Sequence, residues 1–305
     1  MELIQLKDFE QLIFKEDVVG VIGQFDGLHL GHLKLINEAK AKANSLKIKT
    51  ALITFDPHPD YVLGKRANYG YITPFFQKQV LIEEIGVDIM VIINFTLNLS
   101  KLSPLMFYKQ FLASLKWIYV GSDYRYGFRG EGSVDTLKEL HQNVVGVEVL
   151  KYHNEKISSS DLRNLISTGQ VDQLYTYMKR YYNITGKVRH GNKVGRLLGI
   201  RTANLDLIGD YQIIKKGVYA VIVQIDDKKY LGVCNIGHNP TLNYTKKQRL
   251  EVHIIDFDGD LYDKIISVDF VKFLREEIPF KNKEDLIQQI NLDISNTITM
   301  FGDLL

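Results

Sequence analysis

His29 and His32 lie three residues apart, with Gly31 between them, in the stretch VVGVIGQFDGLHLGHLKLINEAKAK (18–42). An imidazole can ligate a metal, donate a hydrogen bond to a phosphate oxygen, or simply sit in the first turn of a helix. Zinc needs three or four protein ligands, and paired histidines on a helix favour i, i+4 spacing. The only other histidine nearby in sequence is His58. Gly20, Gly23, Gly27 and Gly31 cluster around the same point, and small residues let a backbone approach phosphate closely. No GxxxxGK[ST] loop occurs in the chain, so a Walker-type grip is excluded. The pair alone leaves metal, phosphate and plain helix start open, and its surroundings favour phosphate.

Those surroundings are strands and helices in alternation. Apolar runs at 17–23, 48–55, 87–95, 117–121 and 144–151 are separated by helix-like segments near 31–46, 74–86, 103–115 and 133–142. Near-continuous apolar strands with helices between them predict a parallel sheet covered on both faces, with right-handed crossovers. Ligands of such sheets bind beyond the carboxyl ends of the strands. A helix starting near Leu30 would aim its free N–H groups and positive dipole end there. Two further short helices are expected near 159–168 and 170–179.

After about residue 183 the rhythm changes. ITGKVRHG, GVYAVIVQI, KYLGVCNIG, RLEVHIIDF and KIISVDFVKFL read as strands with few helices between them, the pattern of an antiparallel barrel or sandwich. The chain closes on NKEDLIQQINLDISNTITMF, where Leu286, Ile290, Ile294 and Ile298 mark one apolar stripe of a helix. Two domains are expected, 1–183 and 184–305. In RLEVHIIDF, alternation puts Glu251, His253 and Ile255 on one face, and a merely solvent-facing Glu and His would look the same.

The chain has 305 residues, 45% hydrophobic and 24% charged, with a formal net charge of +2. That is an ordinary globular composition with no broad attraction to nucleic acid or to a membrane surface. Cys234 is the single cysteine, which excludes an intramolecular disulfide and a Cys-based zinc site. MELIQLKDFE lacks the basic region and apolar run of a signal peptide. A soluble cytoplasmic protein acting on small molecules is expected.

GQFDGLHLGH (23–32) resembles the HxGH signature of the nucleotidyltransferase superfamily, and more narrowly the start of the prokaryotic bifunctional riboflavin kinase/FMN adenylyltransferase (FAD synthetase) family. Four further stretches are similar to that family, in the same order. TFDPHP (54–59) resembles its flavin-proximal loop, and VGSDYRYGFRGEGS (120–133) its G-x-D-F-x-F-G segment. ISSSDLR (157–163) resembles its ISST-x-IR motif. GRLLGIRTANL (195–205), with NPTLN (239–243) and LEVHIIDF, resembles its kinase barrel. The resemblance implies an α/β Rossmann-like nucleotidyltransferase domain with a parallel sheet, then an antiparallel β-barrel kinase-like domain with a C-terminal helix.

It also implies roles. His29, His32 and Arg163 would stabilise adenylyl transfer from ATP to FMN, giving FAD. Gly23, Phe25, Gly31, Ser158 and Ser159 would contact the nucleotide, as would Gly191 and Gly195 at the second site. Phe55, Pro57, His58, Pro59, Asp123, Tyr126 and Phe128 would line the flavin. In the barrel, Glu251 would be the base for riboflavin phosphorylation, and Thr202 and Asn204 would hold Mg²⁺ and ATP phosphates. The FMN phosphate, with a second pKa of about 6, needs no general base. An alcohol does benefit from one.

The chain departs from the family at Gln24 (commonly Asn), at Tyr124 and Tyr126 (commonly Phe), and at Arg201, where Pro precedes Thr-Ala-Asn. Full bifunctionality, FAD synthesis alone, another HxGH nucleotidyltransferase and a non-enzymatic flavin sensor are the readings in competition.

Overall fold

The computed structural model describes residues 1–7, 9–65, 70–148, 150–152, 155–189, 201–238 and 248–304. The chain divides into two compact units, Met1–Ser159 and Ser160–Leu305.

In the first unit, β1 (Glu2–Leu6), β2 (Val18–Ile22), β3 (Lys49–Asp56), β4 (Ile89–Asn94), β5 (Trp117–Gly121) and β6 (Val144–Val147) form one sheet. Their order is β1-β4-β3-β2-β5-β6, and every pairing is parallel. The helices are α1 (Leu30–Leu46), the single turn α2 (Pro59–Val62), α3 (Phe75–Ile85), α4 (Pro104–Phe111) and α5 (Val134–Leu140). All five residues of β2 are buried, because the strand is covered twice. Val19 and Val21 pack with Ile36 and Ala39 of α1 and Ile82 of α3. Val18 and Ile22 pack into the opposite layer with Phe107 and Phe111 of α4 and Leu137 of α5. Burial on both faces is what makes a strand read as an unbroken apolar run.

Three details depart from expectation. The edge strand β1 was not anticipated: its pattern is mostly exposed, with only Leu6 buried, so no apolar run announces it. Gly20 belongs to packing rather than to a phosphate turn, since a Cβ there would lie 2.5 Å from Leu115 Cδ1. The run expected at 144–151 ends at Val147, and a two-stranded hairpin of β7 (Lys151–Tyr152) and β8 (Glu155–Lys156) follows.

From β2 the chain moves through β3 to β4 on one side. It then crosses back to place β5 and β6 on the other side. The strand order reverses between β2 and β5, the point in such sheets where ligands bind. The segments that leave the sheet there are Gly23–His29 and Ser122–Phe128.

The second unit carries most of α6 (Ser159–Thr168), α7 (Leu174–Met178), six strands and α8 (Lys283–Phe301). The strands β9 (Tyr182–Arg189), β10 (Ala203–Leu207), β11 (Gly217–Ile225), β12 (Lys228–His238), β13 (Gln248–Ile254) and β14 (Ile265–Arg275) form a closed barrel, order β10-β13-β12-β11-β14-β9. All its pairings are antiparallel. Tyr219, Cys234, Leu250, Val252, Val268 and Phe270 fill the interior. On the outer face Ile222, Leu231, Ile255 and Val271 pack against Ile294 and Phe301 of α8.

The expected α8 stripe is rotated. Ile294 packs, but Ile298 is 45% exposed, and the buried positions are Asp293 and Thr297. The cause is Arg275 at the end of β14. Its Nε donates to both Asp293 oxygens at 3.1 Å and its Nη2 to Oδ2 at 2.7 Å. Gln289 Nε2 adds a bond of 3.0 Å to Oδ1. A buried carboxylate needs such partners, and a fork-to-carboxylate pair fixes the helix face geometrically.

Among the described residues no helix is long and apolar enough to cross a membrane. Removing one partner of a buried pair costs about 3 kcal/mol or more. Asp293→Ala is therefore expected to speed hydrogen exchange of α8 and β14 amides strongly, and Asp293→Asn less. Unchanged exchange in Asp293→Ala would show that the pair does not hold the helix.

Candidate active site

The first site is built on the turn between β2 and α1. Phe25, Gly27 and Leu28 have φ of 51°, 83° and 38°, so the chain coils through the left-handed region before the helix starts. Phe25 and Leu28 are 0% and 1% exposed, and this burial holds two non-glycine residues where isolated side chains avoid going. His29 then caps α1 with φ −73° and ψ 170°. Its Nδ1 accepts the His32 backbone N–H at 3.4 Å. With Nδ1 an acceptor, the neutral ring carries its proton on Nε2.

The His29 and His32 rings stack at 3.7 Å with 18° between planes, and Phe25 meets His32 edge-on at 5.3 Å. Glycine at 31 lets the stack sit close, because a Cβ would lie 3.1 Å from the His29 ring and the ring would have to shift by a few tenths of an ångström. At Gly23 a Cβ would lie 3.2 Å from the Phe25 ring. The arrangement is two imidazoles at a helix N-terminus, at the strand-order switch. Its chemistry is hydrogen-bond donation to an anion.

A group missed by the sequence lies beneath this turn. Lys78 of α3 is 2% exposed, and its Nζ donates to the Gln24 carbonyl at 2.9 Å. Thr54 Oγ1 donates to the same carbonyl at 3.1 Å. Burial pulls the Lys78 pKa down, while the nearby carboxylates of Asp26 and Asp56 push it back up. Asp26 is itself buried and accepts the Ile72 and Thr73 N–H groups at 3.3 and 3.1 Å. Asp56 accepts the Tyr71 hydroxyl at 2.7 Å, and burial together with that carboxylate raises the Tyr71 pKa. Four separate segments are thus tied beneath the histidines.

The other first-unit residues have these places. Phe55 is in the core against Phe95 and Phe107. Pro57 follows a cis peptide, and His58 caps the single turn that Pro59 begins, its Nδ1 accepting Asp60 N–H at 3.0 Å. Asp123 forms an ion pair with Lys156. Tyr126 is 4% exposed, stacked on Tyr124, whereas Phe128 is 36% exposed. Ser158 is half-buried, and Ser159 Oγ donates to the Asp26 carbonyl at 2.8 Å. Arg163, in the second unit, is buried and donates from Nη1 to Gln212 Oε1 at 2.6 Å.

The barrel unit has its own cavity of about 770 Å³, lined among others by Arg201, Thr202, Asn204, Arg249, Glu251 and His253. Strand β10, which lies within the GRLLGIRTANL motif, supplies Asn204. Glu251 of β13 is its direct register partner. Leu250, Val252 and Ile254 are buried, so Glu251 and His253 face outward as alternation predicts. The Arg249 guanidinium pairs with Glu251, and its Nε and Nη2 each lie 3.4 Å from Asn204 Oδ1. Gly191, Gly195, Gly199 and NPTLN lie outside the described residues. Among the described residues no group of three or more His, Cys, Asp or Glu could hold a metal.

The family model described as FAD synthetase matches residues 12–161, and the one described as riboflavin kinase matches 178–301. The bifunctional riboflavin kinase/FMN adenylyltransferase of Listeria monocytogenes is 36% identical over 292 residues, 94% of this chain and 93% of that protein. The Bacillus subtilis protein of the same name is 34% identical over 314 residues, covering 100% and 99%. This chain belongs to the bifunctional riboflavin kinase/FMN adenylyltransferase family. A solved Streptococcus pneumoniae structure described as a macrolide-efflux protein superposes with a TM-score of 0.90 at 27% identity, over 97% of this chain and 99% of that one.

Against the family pattern, two substitutions now have surroundings. Gln24 uses its longer amide to donate from Nε2 to the Phe55 carbonyl at 3.2 Å, joining the histidine turn to β3. Arg201 forms an ion pair with Asp258, and its carbonyl oxygen lies 2.8 Å from His253 Nδ1.

Gly31 lies inside α1 and its φ is not in the positive range, so alanine suits the backbone and adds helix propensity of about 1 kcal/mol. Gly31→Ala is expected to keep or raise the melting temperature while changing the His29 and His32 ring NMR shifts. Unchanged ring shifts would show that glycine is not needed for the stack.

Proposed function

We propose that the protein makes FAD in two steps, phosphorylating riboflavin in the barrel unit and adenylylating FMN in the parallel-sheet unit. The observation that carries the reading is the His29–His32 stack at the N-terminus of α1, at the strand-order switch. A cavity that collects Thr202, Asn204 and Glu251 supports the kinase half. As functional modules, residues 1–183 are assigned to adenylyl transfer and 184–305 to the kinase-like domain.

In adenylyl transfer an oxygen of the FMN phosphate attacks the α-phosphorus of ATP, and pyrophosphate leaves. The phosphate is already ionised near neutral pH, so the site has to align reactants and spread charge. His29 Nε2–H and the His32 ring are the donors, with the helix N-terminus behind them. Asp123 and Phe128, the exposed members of the expected flavin set, are the assigned flavin contacts. The buried Phe55 and Tyr126 then act by holding the loops.

In the kinase reaction the riboflavin 5′-hydroxyl attacks the γ-phosphorus, its proton passes to Glu251, and ADP leaves. Mg²⁺ would supply charge neutralisation of the phosphates. The donor set fits a hard cation: Thr202 hydroxyl and Asn204 amide oxygens are oxygen ligands, and Asn204 Oδ1 and Glu251 already face the positive charge of Arg249.

Purified protein incubated with Mg-ATP and either riboflavin or FMN is expected to give FAD from both. FAD from FMN only would reduce the protein to an adenylyltransferase, and none from FMN would overturn the main reading in favour of another phosphate acceptor. His32→Ala is expected to lower turnover with FMN by about 10²-fold, the usual loss for one transition-state donor, with little change in stability. Full activity would remove His32 from the mechanism. Arg201→Pro is expected to raise riboflavin phosphorylation by fixing the turn before Thr202. An unchanged rate would reject that turn as limiting.

A further inference from the structure

Arg249 has no role in the chemistry above, yet it touches both groups assigned to the kinase reaction. It lies two residues before Glu251 on β13, so both side chains leave the same face of the strand. Across the ladder, Asn204 is paired directly with Glu251. The Arg249 guanidinium reaches over this pair. Its Nη2 engages Glu251 Oε1, and Nε and Nη2 both approach Asn204 Oδ1 at 3.4 Å. One cation therefore rests on the carboxylate assigned as base and on the amide oxygen assigned to the metal. On the far side of Glu251, its β12 partner Asn235 donates to Glu277 at 3.2 Å, while its buried Oδ1 accepts no bond among the described residues. The Arg249 guanidinium thus places a positive charge in contact with both assigned oxygens.

That position conflicts with turnover. A carboxylate engaged by a guanidinium is a poor acceptor for the riboflavin proton, and Asn204 Oδ1 cannot face a metal ion and Arg249 at once. The contact is also weak enough to exchange. Arg249 and Glu251 side chains are 43% and 28% exposed, and ion pairs open to water are worth little. An incoming polyphosphate offers the same guanidinium a bidentate anion of higher charge.

We infer that Arg249 is an exchangeable positioning residue of the kinase site, resting on Asn204 and Glu251 until a nucleotide arrives and then moving to its phosphates. This rests on the kinase reading given above. The exchange sets an order: nucleotide phosphates draw Arg249 away, Asn204 becomes available to the accompanying cation, and Glu251 becomes free to take the proton. Before the nucleotide is bound, the base is masked.

The test compares full-length protein with Arg249→Gln and Arg249→Lys. Mn²⁺ binding without nucleotide is measured by electron paramagnetic resonance, and KM and kcat for ATP are measured in riboflavin phosphorylation. Arg249→Gln should bind Mn²⁺ more tightly, because the competing cation is gone. Its KM for ATP should rise about tenfold, the scale of one lost charge-assisted contact. Arg249→Lys keeps the charge without the fork and should fall between. A cross-strand ion pair with no other role would move neither quantity, or weaken both together, and either result would overturn the exchange. An unchanged circular dichroism spectrum and melting temperature report that the barrel of each variant is folded. Absence of riboflavin phosphorylation in the unmodified protein would overturn the kinase reading, while the Mn²⁺ titration still decides the exchange.

Discussion

The hydrogen bond from the His32 backbone N–H to His29 Nδ1 is the contact on which the first site depends. It satisfies one of the donors that every helix start leaves open, and it fixes the proton of the neutral His29 ring on Nε2. It also brings the two rings into a stack, beside which a Cβ at 31 would fit only if the His29 ring shifted. The rest of the turn follows from holding His29 there. The chain must reverse sharply after β2, which it does through the left-handed Phe25, Gly27 and Leu28, and burial of Phe25 and Leu28 holds that reversal. Lys78 then supports the turn from below through the Gln24 carbonyl. The nearby carboxylates of Asp26 and Asp56, which favour its charge, are themselves held by backbone N–H groups and by a tyrosine. The turn that carries the histidines is therefore tied from both sides, by the His29 cap and by Lys78.

The two units meet different chemical demands, and their polar groups differ accordingly. A phosphate nucleophile brings its own charge, so on the proposed reading neutral donors and a helix terminus suffice at His29 and His32. A hydroxyl nucleophile must lose a proton, so the barrel site needs a carboxylate. A carboxylate and an amide oxygen on facing strands attract a cation, and in this chain Arg249 supplies it. The histidines of the first site are capped and stacked, with His29 buried and His32 half-buried. At the second site the charges sit on half-exposed side chains along one strand face, which is what the proposed exchange of Arg249 requires.

How far the sequence spoke depended on whether a signal was local. The central strands were legible because burial on both faces leaves an unbroken apolar run, and α1 because its cap and glycine are adjacent to it. Edge strand β1 and the five-residue β10 carry no such run, so neither stood out as a strand. Lys78 was illegible for a different reason. In FFQKQVLIEEI it looks like any exposed helix lysine, and its partners Asp26 and Asp56 arrive from distant segments. Asp293 misled in the same way: a polar residue beside an apolar stripe becomes the buried centre of the helix face once Arg275 reaches it. The family motifs named Glu251 and Asn204, but only strand register shows that they face one another with Arg249 across them.

The same distinction bears on Arg201, the sharpest departure from the family pattern. A proline there would fix its own φ and restrict the residue before it. Arginine removes that constraint, and two contacts stand in its place: the carbonyl facing His253 Nδ1, and the guanidinium pairing with Asp258. These are not equivalent. The ion pair joins side chains that are 62% and 87% exposed, so water and salt screen it and it constrains Arg201 weakly. The carbonyl contact belongs to the backbone, and a proline would offer the same acceptor. What the substitution removes is therefore the stiffness of the approach to Thr202, and not the anchor that ties it to β13 beside Glu251.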